Sequence, residues 1–71
     1  MWLEEILEDD FVATENINYL AMEDRIKKSE VKRQKHQLGV KSIKVKYKER
    51  NVWLWFIPKH IFKKYEFWAN E

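Results

Sequence analysis

The chain has no cysteine, a single glycine, Gly39, and a single proline, Pro58. Without thiols there is neither a disulfide framework nor a thiolate metal site, and His36 and His60 alone rarely hold a structural zinc, so a reducing cytoplasm is the expected home. No apolar run approaches the roughly 18 residues that cross a bilayer. Glu4 and Glu5 also give the start of the chain the wrong sign for a signal peptide. A soluble, untargeted protein is expected. So little Gly and Pro leaves no linker, no low-complexity tract and no Gly-rich phosphate loop. No histidine stands near a plausible Asp or Ser partner, and Asp9 with Asp10 reads as a solvated turn rather than an acid/base dyad. Catalysis is therefore not expected, and no cofactor is implied. Residues 1 to 24 lack Lys and Arg altogether.

Seventy-one residues, 45% of them hydrophobic and 37% charged, make one domain, residues 1–71. A chain this short buries only ~60% of its unfolded surface. Its four Trp, four Phe and three Tyr therefore predict an aromatic-heavy core. Net charge is +2, but residues 1 to 24 carry eight acids and no base, while residues 25 to 71 carry fourteen bases and four acids. A segment at +10 following one at −8 points to a nucleic-acid or acidic-protein partner, because each cation placed on a phosphate releases condensed counterions. Lys outnumbers Arg eleven to three, as an AT-rich genome would also produce, so charge alone does not decide.

Hydrophobic spacing orders the chain. Trp2, Leu3, Ile6 and Leu7 form one stripe of a short first helix that Asp9 and Asp10 break. Phe11 and Val12 read as extended. Thr14 is suited to N-cap a second helix running to about Glu23, with Ile17, Leu20 and Ala21 inward. A third helix is expected over 28–37, with Val31 and Leu38 on its inner face and Gly39 closing it in a left-handed cap. The period then changes to two: Ile43, Val45 and Tyr47 alternate with Lys44, Lys46 and Lys48, and a strand over 52–57 completes a hairpin. A three-residue loop would set Tyr47 opposite Trp53, Val45 opposite Trp55 and Ile43 opposite Ile57, with Leu54 and Phe56 on the lysine face. Pro58 opens a last helix over 59–69 whose stripe is Ile61, Phe62, Tyr65 and Trp68.

The run Ser29-Glu30-Val31-Lys32-Arg33 through Leu38-Gly39-Val40-Lys41-Ser42, followed by Trp53-Leu54-Trp55-Phe56-Ile57-Pro58, resembles the small winged-helix tail of primase-helicase and RepA-like replication proteins of phages, plasmids and other mobile elements. Trp2-Leu3, Phe11 to Ile17 and Ile26 fit the same pattern, and the likeness covers residues 2–58. Arg25 stands where that pattern has Gly, and Gln34 where it has a small Ala. The resemblance implies an α+β fold: a small winged helix-turn-helix of three helices and a two-stranded β-hairpin wing, here with an extra C-terminal helix.

With Val31 and Leu38 inward, a helical wheel at ~100° per residue places Ser29, Lys32, Arg33 and His36 on the opposite face, with Gln37 at its edge. All can donate hydrogen bonds: Arg33 to guanine, Gln37 to adenine, Lys32 and Ser29 to phosphates or base edges. Lys46, Lys48 and Arg50 on the wing would reach the backbone beside the groove. Trp53 and Trp55 are expected to face the core rather than stack on bases, and His60 reads as an incidental surface residue. The expected activity is double-stranded DNA binding in replication or transcription control. The rival is a protein-interaction winged helix, a phage-type inhibitor or adaptor docking on a host or replication protein through its first or last helix. A third reading, a domain cut from a larger replication ATPase, sits less well with the chain's own Met1. The last helix is expected either to cover Leu54 and Phe56 or to pair with a second copy as a homodimer.

Overall fold

The computed structural model describes the backbone of residues 1–69 and the side chains of residues 1–65. The elements are α1 (Trp2–Leu7), β1 (Val12–Ala13), α2 (Thr14–Glu23), α3 (Lys28–Leu38), β2 (Lys41–Tyr47), β3 (Arg50–Phe56) and α4 (Pro58–Ala69). They make a small α+β domain in which the helices accompany a three-stranded antiparallel sheet of order β1-β3-β2. No helix among the described residues is long and apolar enough to cross a membrane.

The core is aliphatic, not aromatic. Leu3 and Leu7 from α1, Ile17 and Ala21 from α2, Val31 from α3, Val40 and Ile57 are buried together. Trp2 and Trp55 sit only at the border of that cluster. An indole N–H needs a partner, and the border is where one can be reached: Trp2 Nε1 donates to Asp24 Oδ2 at 2.8 Å, tying α1 to the end of α2. Leu20, expected inside, is 37% exposed, so two residues rather than three form the inner face of α2. Thr14 does not cap its helix. Ala13 holds the cap position, and the Thr14 hydroxyl donates instead to the Trp53 carbonyl at 3.2 Å, fastening α2 to β3.

Helices α2 and α3 end in the same hydrogen-bonded loop. Val40 N–H reaches the Lys35 carbonyl and Gly39 N–H the His36 carbonyl; likewise Ile26 N–H reaches Ala21 and Arg25 N–H reaches Met22. Both are Schellman motifs, which need a left-handed residue after the helix. Gly39 supplies it at φ 67°, and Arg25 supplies it at φ 57°. The hairpin turn is also left-handed, at Lys48 (φ 49°) and Glu49 (φ 65°). Because a side chain in this region costs about 1 kcal/mol, Arg25→Gly and Glu49→Gly should each raise unfolding free energy by about that amount in urea titrations. A loss of stability in either would mean that the side chain makes a compensating contact.

That two-residue turn corrects the hairpin register. Tyr47 pairs with Arg50, Val45 with Val52, Ile43 with Leu54 and Ser42 with Trp55. The shift from the expected pairing is three residues, and an odd shift exchanges the faces of one strand relative to the other. Ile43, Val45, Val52, Leu54 and Phe56 therefore share the face away from the core. Trp53 and Trp55 share the other with Lys44 and Lys46. Trp55 packs against the core, whereas Trp53 lies beyond its edge and is 50% exposed.

Helix α4 begins with Pro58, whose missing N–H and fixed φ suit a first turn. His60 is not an incidental surface group: its Nδ1 donates to the Glu8 carbonyl at 2.8 Å, and Lys64 Nζ lies 3.4 Å from Asp10 Oδ1 and 3.9 Å from Asp9 Oδ2. The acidic turn after α1 is thus the seat of α4. Phe56 packs against Phe11, ring centroids 4.9 Å apart, and Phe62 stays 70% exposed, so the outer face of the hairpin does not take up the α4 stripe as a whole. Trp68 lies outside the described side chains.

Candidate functional site

Helix α3 presents three differently built surfaces. Val31, Gln34 and Leu38 point into the domain, and Gln34 is 5% exposed, the buried polar residue of the core. Ser29, Lys32, Arg33, His36 and Gln37 are all exposed on the opposite side, as expected from the wheel. Lys28 and Lys35 lie on one flank and Glu30 on the other.

The outer face is internally bonded. Arg33 Nε donates to Glu30 Oε2 at 2.9 Å, its NH2 group donates to Glu30 Oε1, and its NH1 group donates to Gln37 Oε1 at 3.0 Å. Gln34 Nε2 adds a bond to Glu30 Oε1 at 3.0 Å. The hydrogen bonds from Arg33 and then Gln34 hold the Glu30 carboxyl down at about 2, from 4.5, and the same carboxylate raises the Arg33 guanidinium above its ordinary value. Arg33 and Gln37, assigned from sequence to different bases, are thus bonded to each other, and Arg33 is also held by Glu30. A bidentate contact of Arg33 through Nε and its NH2 group would compete with that carboxylate.

Lys32 and His36 also belong to a hollow of about 410 Å³ beside the C-terminal half of α3, together with Lys35, Gly39, Val40 and Lys41. Sequence does not single out Lys35 or Lys41, because the wheel puts Lys35 on a flank and the alternation of β2 gives Lys41 no special place. Among the described residues no acidic side chain lines this hollow. Lys46, Lys48 and Arg50 are brought together at the far end of the hairpin and not with α3. From Lys41 to Tyr47 the strand spans roughly 20 Å at ~3.4 Å per residue. At the tip, Lys48 Nζ lies 5.4 Å from the Tyr47 ring centroid, and Arg50 reaches Glu15 on α2 at 3.4 Å. Both partners of that last pair are well exposed, so the contact is weak and exchangeable.

Among the described residues no group of three or more His, Cys, Asp or Glu side chains is arranged to hold a metal. Comparison with protein-family models, with curated proteins and with solved structures finds no match to the chain.

Proposed function

We propose that the chain is a winged helix-turn-helix module that binds double-stranded DNA without catalysis, with α3 as the recognition helix and the β2–β3 hairpin as the wing. The observation that carries this reading is the outer face of α3, where five hydrogen-bonding side chains stand exposed and Lys32 and His36 continue into a lysine-lined hollow. Two helices joined by the short segment 24–27 precede the hairpin, as the motif requires. An α-helix fits a major groove, and the hairpin tip, roughly 20 Å away, reaches the flanking backbone about six base pairs on at ~3.4 Å each. A role in replication or transcription control on a phage, plasmid or other mobile element rests on the resemblance of the Leu38-Gly39-Val40 and Trp53-Leu54-Trp55 segments alone.

Electrophoretic mobility with random duplex, single-stranded DNA and RNA across a salt series tests the reading. Duplex binding should fall steeply with salt. Lys46→Ala or Lys48→Ala should weaken binding to all duplexes about equally and reduce the salt slope by ~0.9 for each phosphate that is no longer neutralised. A protein adaptor docking through an apolar surface would show no duplex shift at any salt. Weakening confined to one DNA sequence would assign the tip to base reading instead.

A further inference from the structure

Beside α3, on the flank away from Glu30, a second and larger cleft of about 560 Å³ opens between α2, α3 and β3. Its walls are apolar, with Met22 and Ile26 from the end of α2 and its turn, Val31 from α3 and Trp55 from β3. Met22 is 67% exposed. Along one side run Lys28, Lys32 and Lys35, and Lys35 Nζ sits 4.4 Å from the Trp55 ring centroid. Among the described residues no carboxylate lines the cleft, and Asn18 is the one uncharged polar residue lining it.

We propose that this cleft docks an acidic amphipathic helix of a partner protein, with one or two bulky apolar side chains seated against Met22, Ile26 and Trp55 and its carboxylates on Lys28, Lys32 and Lys35. The spacing of the lysines selects the occupant. At i, i+4 and i+7 they extend over about 10 Å of the α3 axis, too far for one small anion. Acids one turn apart on a facing helix match that row, and an amphipathic helix laid in a groove uses the same i, i+4, i+7 positions for its anchors. A nucleic-acid strand also carries a row of anions, but its bases would bury their hydrogen-bonding edges against Met22, Ile26 and Val31 with Asn18 alone to answer them. Docking does not depend on the DNA-binding reading. If that reading holds, Lys32 serves both surfaces, and the partner helix and the duplex exclude each other.

The test is titration of the full chain, followed by backbone and indole NMR shifts, with a synthetic helix of about 16 residues carrying Leu and Phe anchors on one face and Glu beside them. Saturable binding should move Met22, Ile26, Lys28, Lys35 and the Trp55 indole. Replacing the anchors with Ser, or the Glu residues with Lys, should weaken it by at least about tenfold. Met22→Glu changes an exposed residue outside α3 and should weaken it similarly while leaving the chain folded. Absence of cleft shifts at millimolar peptide overturns the proposal, as does binding that Met22→Glu leaves unchanged. So does an oligothymidylate that moves the same resonances more strongly, or a second copy that already fills the cleft in sedimentation. A labelled random duplex in the same tube separates the two readings: peptide shifts without any duplex binding would remove the DNA reading and leave the docking site standing.

Discussion

A chain carrying Lys32→Ala and Arg33→Ala together is expected to bind duplex DNA about 100-fold more weakly while its thermal melting stays close to that of the parent. The size follows from the removal of two side chains of the proposed DNA-binding face, worth roughly 1–3 kcal/mol each. The preserved fold follows from exposure, since both side chains are exposed and neither belongs to the core cluster. Gln34 still donates to Glu30 when Arg33 is gone, so the interior polar bond survives. The Arg33–Glu30 pair adds a second expectation. Glu30→Gln leaves one acceptor oxygen for Arg33 and Gln34 to share and removes the charge that competes with phosphate for Arg33, so duplex affinity should rise several-fold. Acid will not mimic that substitution at ordinary pH. A carboxyl lowered from 4.5 to about 2 contributes stability above pH 4.5 and loses it only as pH falls toward 2, so the pair is intact throughout the range in which DNA binding is measured. Unchanged affinity in the double variant, with normal melting, would remove α3 from the interface.

Much of the backbone is legible in the sequence because it depends on local spacing. The helix borders follow from the 3.6-residue stripes, Gly39 from its place after Leu38, and Pro58 from its place at the head of α4. The hairpin is legible as a hairpin but not in its register. A two-residue turn with both residues left-handed normally carries Asn-Gly, and here it is Lys48-Glu49, which gives no sign of it. The exposure of Trp53 is hidden for another reason: it shares the core-side face with Trp55 but lies beyond the edge of the core, and strand alternation does not show where the core ends. The exposed face of α3 is legible because two anchors, Val31 and Leu38, orient all eleven of its residues. What joins α3 and α4 to the rest is not. Lys35 over Trp55, His60 on Glu8 and Lys64 on Asp9 and Asp10 connect residues 20 or more positions apart, and no local period encodes which polar side chain finds which partner.

Gln34 is the clearest case of such a partner, and its removal should cost the most stability of any single change in α3. Helix α1, Trp2–Leu7, has only six residues, and Met1 at its N-cap position makes no side-chain cap bond. The N–H groups of a first turn have no partner within their own helix, and a buried one left bare costs about 1–3 kcal/mol. Here the Leu3 N–H, buried with its side chain in the core, donates to Gln34 Oε1 at 2.9 Å, so a side chain 31 positions later in α3 caps α1 from across the domain. The other end of the amide donates to Glu30 Oε1. Every polar atom of the group is thereby used, and no buried side-chain polar atom among the described residues lacks a partner. The amide is also what lets a polar residue occupy this buried position, since both of its polar atoms are bonded. Gln34→Ala should lower unfolding free energy by about 2–4 kcal/mol, the bare N–H plus the void left by the side chain. Against a total of roughly 4–10 kcal/mol for a chain of this length, that is a large fraction of its stability. Gln34→Met refills the volume and should recover only the void, leaving the loss due to the N–H. Gln34→Glu keeps an acceptor for Leu3 but sets a carboxylate against Glu30, so it should be less stable at pH 8 than at pH 5, where the new carboxyl can take a proton. Urea titrations of the three variants give the answer directly: equal stability of Gln34→Met and the parent would mean that Leu3 finds another acceptor and that the bond to Gln34 is incidental.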